Sequence, residues 1–284
     1  MNLELGGKRI AIVGKGGVDM LQRIPGFSLF ETGEGIADVR VELDSEIEPT
    51  DARWLHSFDI VDGQMVCRFG RLADGRYLYR FGDESILLCP APGNELEEPY
   101  CISTVRIPAV LRFAVWVVVS MAGARLGMLP VHSSVVVCNG HAVMCLGESG
   151  TGKSTHTRLW LQYIEGSHLL NDDSPLLVCE ADGWYVYGSP WSGKTPCFCR
   201  ERWPLAALLR LEQKPENHIL RLGVIESFAA LQPSCPPCLM MDEPLQDALV
   251  DYVGGAIGNV PVYRLGCLPN EAAARLSHDT IFMQ

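Results

Sequence analysis

The segment GESGTGKST, from Gly147 to Thr155, has residue types and a spacing suited to holding a polyphosphate. It fits the pattern G-x-x-x-x-G-K-[ST], whose glycines let successive backbone N–H groups turn toward phosphate oxygens. In such a loop Lys153 reaches the β- and γ-phosphates, and the hydroxyl of Ser154 binds Mg²⁺. The candidate nucleotide-binding residues are Gly147, Glu148, Ser149, Gly150, Thr151, Gly152, Lys153, Ser154 and Thr155. The alternative interpretation is a glycine-rich turn that caps an ordinary helix.

An acidic pair follows a short apolar segment in HLLNDDSPLL, residues 168 to 177. A magnesium nucleotide site needs a carboxylate near the loop, at the end of a neighbouring strand. We assign Asp172 as the base that takes the proton of an attacking hydroxyl, and Asp173 as the metal ligand beside Ser154. The reverse assignment stays open, and so does a plain turn, because Asn and Asp favour turns.

The elements around the loop match what a phosphate site requires. PVHSSVVV is typical of a strand, CNGH of a tight hairpin turn, and AVMCLG of a return strand that leads into the loop. A helical pattern follows, so that its N-terminal N–H groups can face an anion. A second glycine-rich segment, RIAIVGKGG from Arg9 to Gly17, lacks this context. Pro25 ends any helix early there, so we expect no nucleotide site.

The pattern predicts an α/β or α+β fold in two parts. Residues 1–101 form a β-rich N-terminal module, with ADVRVEL as a half-buried strand of an antiparallel meander. Residues 102–284 form the domain that carries the loop, and its first helix is expected to start at Ser103 or Thr104. LAALLRLEQ and VPVYRLGCLP are predicted strands; DEPLQDALVDYVGGAI and a closing segment capped by Asn270 are predicted helices.

Composition limits the classes of partner. The 284 residues carry a net charge of −11 with a pI near 5.1, which argues against a general nucleic-acid binder. The most apolar run, FAVWVVVSMAGA, lies between Arg112 and Arg125 and is shorter than the roughly 18 residues that a membrane span needs. We therefore expect a buried helix, no membrane partner and a cytoplasmic protein.

The 11 cysteines are odd in number and scattered. CFC (Cys197, Cys199) and CPPC (Cys235, Cys238) contain four thiols that could hold zinc, but a Cys-x-Cys spacing departs from the usual structural site. Reduced thiols in core or loop positions are the favoured interpretation, and metal binding stays open.

Taken together, the loop and the acidic pair resemble the HPr kinase/phosphorylase family, within the wider phosphoenolpyruvate-carboxykinase-like group. Three elements match in order: a strand histidine in PVHSSVVV (His132), the loop GESGTGKS, and a His-x-x-x-Asp-Asp segment from His168 to Asp173. The resemblance covers residues 105 to 200 well and the C-terminal third loosely. It implies a kinase-like domain with a mixed sheet.

The resemblance implies ATP and Mg²⁺ as cofactors and a side-chain hydroxyl as the phosphoryl acceptor. By position, His132 matches an active-site histidine, although a lone strand histidine is often a core residue. The HPr kinases are oligomeric, so a homo-oligomer is compatible with the resemblance. The acceptor is left open among a small molecule, a peptide and a carrier protein.

Two features depart from the HPr enzymes. Thr155 stands where they commonly carry Glu, and YGSPWSGKTPCF replaces their second signature, which argues against HPr itself as the acceptor. Lys194 in this segment is a candidate catalytic residue that neutralises charge on the transferring group, or else a surface lysine. Two rival functions remain: an ATP-binding regulator or scaffold, and an ATPase coupled to a partner.

Overall fold

The computed structural model describes residues 1–48, 51–83, 85–193 and 196–283, and the chain divides into two compact units. Unit 1 comprises Met1–Leu126 and Cys238–Ala248, and unit 2 comprises Gly127–Pro237 and Leu249–Gln284. The predicted boundary at residues 101 and 102 differs from this division, which runs after Leu126. Both units combine helices with a mixed sheet, so the coarse α/β class is confirmed.

Unit 1 contains an eight-stranded sheet in the order β1-β2-β3-β8-β7-β6-β5-β4. Its strands are β1 (Asn2–Leu5), β2 (Lys8–Val13), β3 (Val39–Glu42), β4 (Arg53–Ile60), β5 (Met65–Arg71), β6 (Tyr77–Phe81), β7 (Ser85–Cys89) and β8 (Tyr100–Ile102). The predicted antiparallel meander is confirmed for β4 to β8, where each strand is antiparallel to the next. It is wrong for the β2–β3 and β3–β8 pairs, which are parallel. Strand β3 shows the predicted alternation of buried and exposed residues.

A helix does follow the first glycine-rich segment, although the sequence pattern was expected to lack one suited to a phosphate site. Helix α1 (Lys15–Arg23) begins directly after Gly14 and has nine residues, and a 3₁₀ turn (Phe27–Phe30) leads on toward β3. This crossover is what allows β2 and β3 to run parallel. Pro25 does end the helix, as expected, but only after two and a half turns.

Helix α2 (Pro108–Leu126) begins four or five residues after the predicted start at Thr104 or Ser103. Proline fits the first helical position and keeps the residue before it out of the helical region, so the helix starts at Pro108. In unit 1 its Phe113 ring packs edge-on against Phe58 and Phe81. By length and composition alone this helix is apolar enough to cross a membrane, with a mean hydropathy of 1.6, but 61 % of that stretch is buried within the protein.

Unit 2 contains a nine-stranded sheet with the path β12-β10-β11-β15-β14-β13-β9, and β17 lies between β15 and β16. The strands are β9 (Met128–Pro130), β10 (Ser133–Cys138), β11 (His141–Leu146), β12 (His168–Asp173), β13 (Leu176–Glu180), β14 (Gly183–Tyr187), β15 (Arg202–Gln213), β16 (His218–Arg221) and β17 (Val262–Cys267). Strands β11, β15 and β17 are parallel, so their carboxyl ends meet at one edge. Asn139 and Gly140 form the predicted hairpin turn, both with positive φ.

The remaining helices are α3 (Lys153–Tyr163), α4 (Val224–Leu231), α5 (Glu243–Asn259) and α6 (Glu271–Phe282), with 3₁₀ turns at Gln232–Ser234 and Pro237–Met240. The predicted cap of the last helix is confirmed, because the Asn270 side chain accepts a hydrogen bond from the N–H of Ala273 at 3.1 Å. One face of the sheet packs against α3 and α6 around Trp160, which is fully buried. This packing fixes α3 directly after the carboxyl end of β11.

Candidate functional site

The glycine-rich loop lies between the end of β11 at Leu146 and the start of α3 at Lys153. Its glycines are required for different reasons. A Cβ at Gly147 would overlap the Thr151 hydroxyl oxygen, so a side chain there would displace the Thr151 side chain. Gly150 and Gly152 adopt φ values of 84° and 103°, which non-glycine residues rarely reach.

The loop presents backbone donors that the described protein atoms leave without an acceptor. The Thr151 N–H is taken by the carbonyl of Glu148. Among the described residues, none accepts from the N–H groups of Gly150, Gly152 or Lys153, and Gly152 provides no side-chain cap to α3. Unsatisfied N–H groups at a helix start, together with the helix dipole, form a ready anion site.

The Lys153 ammonium contacts the backbone of this loop. Its ammonium donates to the carbonyl oxygens of Gly147 at 2.7 Å and Glu148 at 3.2 Å, and to Nε2 of His132 at 3.0 Å. Burial lowers the pKa of Lys153, while the nearby carboxylates of Asp173 and Asp172 act in the opposite direction. The lysine thus already points along the loop where phosphate oxygens would arrive.

His132 links this lysine to the acidic pair. An ammonium can only donate, so we assign Nε2 of His132 as the acceptor in this contact and Nδ1 as the ring donor. Nδ1 lies 3.4 Å from Oδ1 of Asp173. The backbone N–H of His132 donates to the carbonyl of Ser234 at 2.7 Å, which fixes the start of β10. The histidine therefore spans the distance between the phosphate loop and Asp173.

The two aspartates have different surroundings. Asp172 is buried, and its Oδ1 accepts a hydrogen bond of 2.8 Å from the hydroxyl of Ser154. Asp173, the next residue on β12, is half-buried and faces His132. Strand β12 pairs with β10, placing both carboxylates beside the end of β11. The carboxylate that contacts the loop hydroxyl is Asp172.

Asn171 anchors the segment that follows β14. Its side-chain amide donates to the hydroxyl of Ser189 at 3.3 Å and to the carbonyl of Trp191 at 3.1 Å. The N–H of Gly193 donates to the carbonyl of Asp172 at 2.7 Å, and a Cβ on Gly193 would stand 2.9 Å from that oxygen. These bonds bring the SPWSG segment against the acidic pair, while Lys194 lies outside the described residues.

Arg210 reaches the loop from β15, and sequence reasoning missed it. Its Nη2 donates to Oε1 of Glu148 at 2.9 Å. Gln213 on the same strand donates to the carbonyl of Gly150 at 3.1 Å. A lone arginine inside the apolar run LAALLRLEQ was the available signal, but its partner is 62 residues away in the chain.

The other predicted loop residues lie at the surface of the same turn. Ser149 is exposed, Thr155 is half-buried in the first turn of α3, and the Thr151 hydroxyl donates to the carbonyl of Glu148 at 2.8 Å. All nine loop residues and the acidic pair therefore lie at one edge of the unit 2 sheet.

The four cysteines considered as a metal site have separate surroundings. The thiols of Cys197 and Cys199 both face the carbonyl of Leu169, at 3.7 and 3.9 Å. Cys235 is buried in unit 2, and Cys238 is buried in unit 1. Across the part of the chain that the structure describes, no group of three or more His, Cys, Asp or Glu residues is arranged to hold a metal ion.

No family model matches the chain, and no curated protein matches its sequence. Among solved structures, it is similar to the structure of the Hpr(Ser) kinase/phosphatase from Coxiella burnetii. The two chains share 12% identity at a TM-score of 0.32, over 55% of this chain and 99% of that chain. This is a distant structural relationship, and no function is carried across from it.

Proposed function

We propose that the protein is an ATP-dependent phosphotransferase that moves the γ-phosphoryl group of MgATP to a hydroxyl acceptor. One observation carries the proposal: Lys153, the Ser154–Asp172 pair and the His132–Asp173 pair converge at the start of α3, around backbone N–H groups that have no acceptor among the described residues. Catalysis of phosphoryl transfer depends mainly on positioning the reactants and neutralising charge on the transferring group, and this arrangement is suited to both.

The side chains beside the loop fit a hard divalent cation. The Ser154 hydroxyl and the Asp172 carboxylate are oxygen donors 2.8 Å apart, the ligand type that Mg²⁺ prefers. In this proposal they would hold Mg²⁺, which would supply positive charge to neutralise the polyphosphate. This reverses the assignment preferred from the sequence, in which Asp173 held the metal.

Asp173 is then the base. Its carboxylate is half-exposed and lies next to, but outside, the Ser154–Asp172 pair. The acceptor oxygen bonds to the γ-phosphorus, the bond to the β–γ bridging oxygen breaks, ADP leaves, and the acceptor proton passes to Asp173. The Nδ1–H of His132 orients the carboxylate for this step, as a positioning residue.

In this proposal the phosphoryl acceptor is a hydroxyl on a small molecule, a peptide or a carrier protein. A cytoplasmic location and a homo-oligomer that completes the acceptor site belong to the same proposal. Lys194, which is outside the described residues, is in this proposal the cation that neutralises charge on the transferring group.

The test follows labelled γ-phosphate from MgATP into hydroxy metabolites, free serine, peptides and proteins of a cell extract. We expect label on one acceptor with the unaltered protein. Asp173→Asn should lower kcat by about 10² to 10⁴, the range of general-base catalysis, with the ATP Kd unchanged. Asp182→Asn is the matched control, since that aspartate pairs with Tyr185 in the β13–β14 turn.

Two outcomes would overturn the proposal in favour of its rivals. ATP binding with neither transfer nor release of ADP would indicate a nucleotide-binding regulator. Release of ADP at the same rate with every acceptor, and no label on any of them, would indicate an ATPase that serves a partner.

A further inference from the structure

One register row crosses the sheet edge at the phosphate loop. Asp173 pairs with Ser133, Ser133 with Leu146, Leu146 with Arg210, and Arg210 with Arg264. Leu146 is the last residue of β11, so the loop leaves from the middle of this row. The catalytic carboxylates lie on one side of the loop and a guanidinium lies on the other.

Among the described residues, only one of the two terminal nitrogens of the Arg210 guanidinium has a hydrogen-bond partner. The side chain is 18% exposed, and Nη2 donates to Glu148 at 2.9 Å. The other terminal nitrogen, Nη1, is buried and has no hydrogen-bond partner among the described residues. Burying a charged donor without an acceptor costs free energy, so Nη1 is suited to an acceptor that a bound ligand supplies.

Glu148 is held loosely. Its side chain is 70% exposed, and Arg210 is the partner that lowers the pKa of its carboxyl. The bonds that shape the loop use the backbone of Glu148 instead, since its carbonyl accepts from Lys153 and Thr151. The carboxylate can therefore leave Arg210 without disturbing the loop.

We propose that Arg210 is a phosphate ligand of the nucleotide site and that the Glu148 carboxylate occupies it until the nucleotide polyphosphate takes its place. The planar fork of an arginine matches two phosphate oxygens at once, so Nη1 and Nη2 are both satisfied in the bound state. This inference rests on the proposed nucleotide site and adds to it a residue from a different strand.

The proposal gives opposite signs to the two halves of the ion pair. Removing Arg210 removes a ligand and weakens binding. Removing the Glu148 carboxylate removes a competitor and strengthens binding. If the pair instead served only to brace the loop, losing either partner would weaken binding to the same extent, and losing both would add nothing.

The experiment measures the Kd of MgATP for the full-length protein and its variants by calorimetry. Arg210→Met should weaken binding about 10- to 100-fold, the size of a charge-assisted hydrogen bond. Glu148→Ala should tighten it about two- to fivefold, the size of one exposed ion pair. Arg264→Met removes the same charge one strand farther from the loop and should change the Kd less than about threefold because of screening.

Thermal unfolding of each variant without nucleotide checks that the fold is kept. Glu148→Ala that weakens binding, or Arg210→Met with the Kd of the unaltered protein, would overturn the inference. Lys153→Ala separates it from the proposed function. If the unaltered protein binds MgATP no better than Lys153→Ala, the nucleotide site itself is lost; otherwise only the role of Arg210 is at stake.

Discussion

The chain contains two junctions at which a strand runs through glycines and a lysine into a helix. In unit 1, β2 passes Gly14 and enters α1 at Lys15. In unit 2, β11 passes the six-residue turn from Gly147 to Gly152 before α3 begins at Lys153. The two segments look alike in composition, but their backbone N–H groups have different surroundings.

The first junction is already filled. The N–H of Gly17, in the first turn of α1, donates to the carboxylate of Asp44 at 2.9 Å. The chain of Leu43 lies against the turn, so a Cβ at Gly14 would stand 2.5 Å from the Leu43 carbonyl oxygen. Here the glycines permit close packing of two strands and a helix, and a side chain of the protein takes the place of an external anion.

The second junction is open. A Cβ on Gly150 would meet nothing within 4 Å, and the donors at Gly152 and Lys153 have no acceptor in the described part of the chain. The two junctions therefore differ in turn length and in whether a protein side chain occupies the helix start, rather than in glycine and lysine content.

The largest expected effect separates the two lysines. Lys153→Ala should weaken MgATP binding and lower turnover by on the order of a hundredfold or more, because the variant loses a cation that the loop directs at the phosphates. Lys15→Ala should leave both unchanged. Titration with a fluorescent ATP analogue and a coupled ADP assay measure the two effects. Equal losses of MgATP binding and turnover in both variants would contradict the proposed difference between the two junctions.

The second prediction concerns the packed junction. Gly14→Ala should lower the free energy of unfolding by about 3 kcal/mol, since it adds strain at a φ of 114° to an overlap with Leu43. Gly63→Ala is the control: its φ is 79°, but no atom lies within 4 Å of the new Cβ, so about 1 kcal/mol is expected. Urea denaturation measures both, and similar losses would show that close packing is unimportant at Gly14.

The smallest effect tests the internal anion. Asp44→Ala should cost about 1–2 kcal/mol of unfolding free energy, the usual range for losing a helix N-terminal cap. MgATP affinity should stay the same, because the turn at Gly14 is too tight for a phosphate. A second ATP equivalent bound by Asp44→Ala in calorimetry would contradict this and would make the first junction a latent phosphate site.

The sequence alone was enough to locate the glycine-rich turn between β11 and α3, the Asn139–Gly140 turn and the Asn270 cap. Each depends on bonds within a few residues, which local patterns encode well. It was misleading for α1, since the helix depends on packing against Leu43 and Asp44, some 30 residues away. It also misplaced the start of α2, where Pro108 overrode the serine and threonine before it.

Tertiary structure decided how the candidate residues divide their roles. Both aspartates have the same chemistry in the sequence, and only strand pairing turns Asp172 toward Ser154 and Asp173 toward His132. Arg210 is brought to the loop by the parallel pairing of β15 with β11. Such contacts join residues far apart in the chain, and their geometry follows from packing of the whole sheet, which no local pattern records.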